Sequence, residues 1–362
     1  MMEGKLANPL VFGLKDIFDA YKIDAFWIKD LTTIRYLTGF TGSTAQLLLS
    51  GSDTMFLLVD SRYTTQAGEQ CPKAEVLEIT SPIEDMCELA VKQGHKRLGF
   101  EANSATFANY KTLVDKLPDA ELIPIAENLA SLRIIKTPEE INFVRKACDV
   151  AHVAYTRLTE NTCSGTTEKD SAWVFDRTAR ELGAQRMSFD TLVCSGARSA
   201  IVHGAPSDKK IERGDFLIVD RGVELDGWCS DETNTLVFGA PSEKQKKIYQ
   251  IVQDAHDKAI DAVKAGAKCV DIDAIARNYI ADKGYSEYFG HGLGHGVGLK
   301  VHELPVLSPR GKGELVEGML VTVEPGIYIP DWGGIRVEDL VLVTSDGCEV
   351  LTKAEKRLLE LP

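Results

Sequence analysis

Cysteine pairs, long apolar runs and a surplus of positive charge are what this 362-residue chain lacks. Its eight cysteines stand far apart, so neither a Cys-x-x-Cys redox pair nor a thiolate metal cluster is present. That usage suits a reducing cytoplasm. No apolar run approaches the roughly 18 residues that a membrane-spanning helix needs. The opening Met1-Met2-Glu3-Gly4-Lys5 has no signal-peptide core, so neither anchor nor leader is expected. Basic residues number 41 against 54 acidic ones, a net charge of −13, which argues against a phosphate-binding surface and so against nucleic acid or a membrane as partner. What is present is a 44% hydrophobic fraction, ordinary for a globular chain, at a length that suggests two domains.

An opening helix around residues 9–22 precedes strand-like apolar runs at 24–28, 45–49 and 55–59, alternating with helical segments to about residue 130. This reads as a small α/β domain. A boundary follows, because Thr137 as N-cap, Pro138 as first helical residue and the acids Glu139 and Glu140 are helix-start chemistry. The domains are therefore expected at 1–131 and 132–362. The helix from Pro138 should run to about Glu160. Ser242 and Gln245 form a capping box that opens another, to about Lys264. Two more are expected at 172–182 and 272–283, so that the second domain alternates helices with antiparallel strands.

Five acids and imidazoles in that second domain stand in patterns that need explaining. Asp220 ends the apolar run 216–219, Asp231 closes a second strand-like run, and Asp226-Gly227 between them is a hairpin signal. With an even-numbered loop, both carboxylates point to one face. Like charges so placed repel, and a divalent cation would offset them, although Asp residues at strand ends are also common without one. Residues 289–298 hold five glycines and the histidines His291 and His295. Alternate glycines disfavour a helix by about 1 kcal/mol each, so this is a loop or bent strand whose backbone approaches something closely. His302 opens His302-Glu303-Leu304-Pro305, Glu324 ends the run 321–323, and Glu338 lies in the apolar stretch 335–343. A glutamate flanked by valine and leucine needs a partner to stay ionised. Oxygen-rich ligands with one imidazole favour a harder divalent ion over a thiolate-loving one.

Together these segments resemble the pita-bread metallopeptidases, specifically the Xaa-Pro branch that contains aminopeptidase P and prolidase. The matching blocks are Ser188-Phe189-Asp190-Thr191, Val202-His203-Gly204, Asp220 through Asp231, Gly294-His295-Gly296, His302-Glu303-Leu304-Pro305, Glu324-Pro325-Gly326 and Arg336-Val337-Glu338-Asp339. Residues 30–43 and 60–67 look like the creatinase-type amino-terminal domain of this branch. The resemblance implies an α/β N-terminal domain followed by an α+β pita-bread catalytic domain with a curved antiparallel sheet. It implies two divalent metal ions, with manganese first and cobalt, zinc or iron as alternatives. Asp220 would hold one metal and His295 with Glu324 the other, while Asp231 and Glu338 bridge both. Glu324 would also act as general base, His203 and His302 would contact substrate and the developing oxyanion, and His291 would line the cleft. Arg336 would pair with either a ligand carboxylate or the substrate. Short proline-containing peptides and a homodimer complete the expectation. The remaining histidines, His95, His152 and His256, read as structural.

Three residues depart from the family pattern. Arg221 stands where relatives carry an apolar or aromatic residue, Asn234 replaces the arginine common in Thr-Arg-Thr, and Lys300 replaces an acidic or apolar residue. These departures bear on substrate preference more than on catalysis. The leading expectation is an aminopeptidase P-like exopeptidase that cuts the bond before proline, on the strength of segments 38–43 and 60–63. The alternatives are a prolidase restricted to dipeptides, a non-catalytic peptide-binding protein on the same fold, and a metal-free creatinase-like hydrolase.

Overall fold

Runs of consecutive apolar residues near the start of the chain form strands buried on both faces. The structure, a computed structural model, describes residues 13–51, 53–126 and 129–362. Two compact units divide it between Arg133 and Ile134. The first unit holds a six-stranded sheet in the order Glu75–Glu78, Thr54–Val59, Gln46–Ser50, Ala25–Ile28, Arg97–Glu101 and Glu121–Ile125. Antiparallel pairs at the centre give way to parallel pairs at both edges. Alternate residues feed two cores: Phe26, Ile28, Leu47, Leu49 and Leu57 on one face, and Ala25, Trp27, Leu48, Phe56 and Leu58 on the other. Burial on both faces explains the unbroken hydrophobic runs. Of the expected opening helix, Leu14–Tyr21 is observed and residues 9–12 lie outside the described residues.

Among the described residues, the second unit is built on four α-helices. Pro138–Asn161 starts at the Thr137/Glu140 capping box and buries Val144, Ala147, Cys148, Ala151, Ala154, Tyr155 and Leu158 along one stripe. Glu168–Glu181 begins four residues earlier than expected because Thr167 caps it and Asp170 completes the box. Glu243–Ala262 follows the Ser242/Gln245 box, and Cys269–Asp282 the fourth. Against the first two helices pack Leu217, Val219, Leu236 and Phe238, all fully buried. Each contributes about 1.5 to 3 kcal/mol by burial.

The strands are shorter than expected and fall into several sheets. One sheet runs Leu359–Leu361, Glu232–Phe238, Phe216–Arg221 and Leu192–Ser195; another runs Glu303–Leu307, Gly294–Gly296, Leu320–Val323, Asp339–Val343 and Cys348–Val350. Gly326–Ile329 and Gly333–Arg336 form a hairpin that lies in sequence between Leu320–Val323 and Asp339–Val343 of the second of these sheets. The sheets are joined where Glu338 N–H donates to Thr233 O at 3.2 Å and Thr235 Oγ1 donates to Arg336 O at 2.8 Å. Residues from both sheets therefore meet around Asp220. No helix among the described residues is long and apolar enough to cross a membrane.

Candidate metal centre

Register places the first two acids. Asp220 faces Thr233 and Arg221 faces Glu232 across the antiparallel pair, and the hairpin continues in step to a turn whose Asp226 and Gly227 have φ of 52° and 86°. Positive φ at both turn positions is the two-residue geometry that Asp-Gly supplies. Asp231 thus lies two residues before the partner of Asp220, on the same face.

His295 arrives on Gly294–Gly296, where the register shifts between His295 and Gly296. The flanking glycines are sterically required: a Cβ at Gly294 would lie 2.0 Å from Thr322 O, and one at Gly296 2.0 Å from Leu304 O. His295 Nδ1 faces Gly296 O at 3.0 Å, so that nitrogen carries the proton. The lone pair of Nε2 is left facing Glu324 Oε1 at 3.4 Å and Asp231 Oδ2 at 3.6 Å. Asp231, His295 and Glu338 each offer a ligand atom within 4.8 Å of the others. Glu338 Oε2 accepts from Thr233 Oγ1 at 2.6 Å, and Glu324 Oε1 from Thr322 Oγ1 at 3.3 Å.

Burial sets the electrostatics. Loss of water, then repulsion from neighbouring acids, raises the Asp231 and Glu324 carboxyls well above their usual range and Glu338 to about 7. The His295 imidazole is pushed down to about 4, mainly by burial. Burial opposes the charge of Arg336, yet Tyr328 and the surrounding acids hold that charge firmly in place. Arg336 Nη2 donates to Asp220 Oδ2 at 2.5 Å, while Asp220 Oδ1 is buried with no hydrogen-bond partner among the described residues. Of the two roles expected for Arg336, pairing with a candidate ligand is the one seen. One arginine against four acids, an orphaned carboxylate oxygen and an imidazole lone pair aimed inward are donors that fit divalent cations.

The other expected site residues gather at the edge of this cluster. His302 packs edge-on against His295, ring centroids 4.3 Å apart. His291 Nδ1 donates to Gly292 O at 2.8 Å, leaving Nε2 to accept from Tyr328 Oη at 3.0 Å. Its imidazole is held down at about 4 by burial and then by Arg336. His203 is exposed on the loop after Leu192–Ser195 and lies near enough to affect both His291 and His302. Sequence reading missed Tyr328, which also accepts from Arg336 Nη1 at 2.9 Å and so links His291 to Asp220. Period-two alternation from Gly326 toward this face would have found it.

Arg221 and Asn234 require a correction. They sit on the reverse face, where Arg221 is fully buried, donates to Asn234 Oδ1 at 2.8 Å, pairs with Glu232 at 2.9 Å and stacks 3.6 Å from the Tyr155 ring. Substrate preference is out of their reach. The guanidinium of Arg221 occupies the space beside residue 234. Lys300 is exposed, with its N–H donating to Glu303 Oε1 at 3.1 Å.

Residues 142–345 match metallopeptidase family M24, and residues 13–135 match the creatinase/prolidase N-terminal domain. The chain belongs to metallopeptidase family M24. It is 37% identical over 358 residues to a Xaa-Pro dipeptidase of Pyrococcus horikoshii, covering 98% of this chain and 99% of that one. A Xaa-Pro dipeptidase structure from Bacillus anthracis superposes with a TM-score of 0.93 at 40% identity, covering 96% and 98% of the two chains. A Thermotoga maritima X-Pro aminopeptidase gives 0.87 at 35% identity, covering 94% and 99%. This M24 peptidase is an enzyme with the pita-bread catalytic fold behind a creatinase-type domain. Its family implies divalent metal ions, which the acids and imidazole described above suit.

Proposed function

We propose that this M24 peptidase is a Xaa-Pro dipeptidase. The observation that carries the reading is the buried cluster of Asp220, Asp231, His295, Glu324 and Glu338, ringed by His203, His291 and His302, in a chain that aligns end to end with Xaa-Pro dipeptidases. We assign Asp220 to one metal ion, His295 and Glu324 to a second, and Asp231 and Glu338 to both, with manganese the first candidate and cobalt, zinc or iron the others. Such ions, when bound, lower the pKa of a water and stabilise a developing oxyanion. The protein's own groups do the rest. Burial and the neighbouring acids raise the Glu324 carboxyl while no cation offsets them; ionised beside bound cations, Glu324 would take the proton from the attacking water as general base. Arg336 holds Asp220 in one rotamer, and Tyr328 fixes Arg336 and His291 in turn. His203 and His302 offer N–H donors to the substrate carbonyl and carboxylate.

Tolerance of proline follows from what the substrate lacks. A bond before proline has no N–H, so a site that contacts the substrate through donors directed at its oxygens loses nothing by accepting it. Segments 38–43 and 60–63 lean toward aminopeptidase P, whereas the dipeptidase relatives favour the shorter substrate. Enzyme loaded with manganese, cobalt or zinc should hydrolyse a Xaa-Pro dipeptide at least about 10-fold faster in kcat/KM than the matching tripeptide, a difference of about 1.4 kcal/mol. Preference for the tripeptide makes it an aminopeptidase P. Turnover of neither under any metal removes the peptidase assignment.

A further inference from the structure

Glu168 is fully buried, and nothing in the chemistry above uses it. It is the first residue of the helix Glu168–Glu181. Its Oε1 accepts from Ser195 N–H at 2.7 Å and Ser195 Oγ at 2.9 Å. Its Oε2 accepts from Arg198 Nε at 3.0 Å, Ser207 N–H at 3.0 Å and Ser207 Oγ at 2.7 Å. Five donors on one carboxylate leave no capacity unfilled. Arg198 and the helix N-terminus place positive potential beside it.

The two serines bracket His203. Ser195 ends the strand Leu192–Ser195, Ser207 lies four residues beyond the histidine, and the span between them holds only the short 3-10 turn Gly196–Ala200. One carboxylate therefore ties both ends of the loop, beside the links from Lys209 Nζ to Ser195 Oγ at 2.9 Å and from Arg198 Nη2 to Ala205 O at 2.7 Å, and offsets part of the entropic cost of closing it. The loop's other side rests on the candidate site: Ser199 Oγ accepts from Gly334 N–H at 2.8 Å and Val202 O from Arg336 Nη1 at 3.5 Å. His203 is held between these two attachments.

We propose that Glu168 is a positioning residue that fixes the 196–207 loop and, through it, the imidazole of His203 over the carboxylate cluster. The proposal rests on the role given to His203 under the dipeptidase reading. It explains why an acid is needed here, since a glutamine would turn an N–H₂ group toward two of the five donors.

The test is a double-mutant cycle on the manganese-loaded enzyme with a Xaa-Pro dipeptide, with bound manganese and backbone amide exchange measured on the same samples. His203→Ala should lower kcat by about 10²-fold, the loss expected for one oxyanion contact. Glu168→Gln should lower kcat by about 10-fold through misplacement, with manganese content unchanged and faster exchange at residues 196–207. The double variant should stay within about 2-fold of His203→Ala, since two residues acting as one are not additive. Multiplying losses, or wild-type kcat in Glu168→Gln, would overturn the proposal. Wild-type kcat in His203→Ala would instead count against that histidine's role, and unchanged exchange at 196–207 in Glu168→Gln would then overturn the positioning claim separately. If Glu168→Gln fails to fold, Ser207→Ala removes one donor and should give a smaller loss in the same direction that vanishes in the His203→Ala background; a loss persisting there would overturn it.

Discussion

Glu338 and Asp339 are adjacent, both buried, and respond to burial in opposite ways. Glu338 faces Asp220 and Asp231, and its carboxyl rises to about 7. Asp339 faces the other way. Burial alone would raise it too, but Lys356 and His256 hold it below its usual range, with Lys356 Nζ at 3.2 Å and His256 Nε2 at 3.2 Å. The same alternation occurs at Asp220 and Arg221 and at Asp231 and Glu232: one residue enters the acid cluster and its neighbour enters a network of Arg221, Glu232, Lys356, Asp339 and His256. The reverse face pairs its charges within the protein. The ligand face does not, having Arg336 alone against four acids. Neighbouring residues on each strand thus divide the work, one set supplying a rigid mount and the other an unmet demand for positive charge.

The largest expected effect comes from breaking the unmet face. Asp231→Ala or Glu338→Ala should abolish dipeptide hydrolysis and the uptake of both metal ions, a loss well beyond the roughly 10- to 100-fold typical of residues that merely support a ligand. Metal analysis beside kinetics decides it, and full activity in Asp231→Ala would refute a bridging role. Breaking the paired face should cost stability instead. Arg221→Met leaves Glu232 buried with Lys356 and the Ala354 N–H but without its guanidinium, a loss of about 3 kcal/mol, or about 6 to 12 °C in the midpoint of a unit this size. If the guanidinium is exchangeable between the two positions, adding Asn234→Arg to Arg221→Met should recover at least half of that loss by calorimetry.

Removing the metal should sharpen the contrast through pH. The folded metal-free protein binds more protons than the unfolded chain between the ordinary carboxyl range and about 7, because Glu338, Asp231 and Glu324 are all raised. Its stability should therefore fall as pH climbs from about 4.5 to 7. Asp339 has the opposite sign, since its depressed carboxyl adds stability above the unfolded value of 3.8 that is lost as pH falls through the folded one. Manganese held at one concentration, about 100 times its Kd at pH 7.5, should return about 2.7 kcal/mol there and give a smaller upward shift in Tm at pH 5.5, where protons compete for the same carboxylates. Equal shifts at both values would contradict the account.

Much of the ligand face was legible because its signals are local. The Asp226-Gly227 turn fixes the register that puts Asp220 and Asp231 on one side, and alternate glycines announce a backbone too close to its neighbours for a Cβ, as Thr322 O and Leu304 O turn out to be. The reverse face was illegible because its partners come from far away in sequence. Arg221 stacks on Tyr155 from a helix, and Glu232 meets Lys356 more than 120 residues later. His256 read as a structural helix histidine, and nothing in its own segment points to Asp339. Glu168 gave no signal in sequence, since no pattern in residues 188–207 announces five donors converging on it. One helix start moved by four residues where the cap was Thr167 with Asp170 in place of the glutamate a capping box usually shows, and another by three where Lys268 makes no side-chain cap.

The smallest expected effect checks whether burial, and not pairing as such, separates the two kinds of charge. Lys353 and Lys356 lie three residues apart on the same C-terminal segment, and each meets an acid. Lys356 Nζ approaches Glu232 at 2.5 Å with 9% of its side chain exposed, whereas Lys353 pairs with Asp149 with about half of both side chains in water. Distance alone would rank them alike. Solvent screening predicts otherwise, because an exposed pair gains little Coulomb energy and spends side-chain entropy to form. Lys353→Met should change stability by no more than about 0.5 kcal/mol, while Lys356→Met, which strips a buried neighbour from both Glu232 and Asp339, should approach the loss in Arg221→Met. Equal losses at the two lysines would mean that the segment's backbone, held by Ala354 N–H on Glu232 Oε1 at 3.0 Å, and not its buried charge, supports the strands that carry the acids.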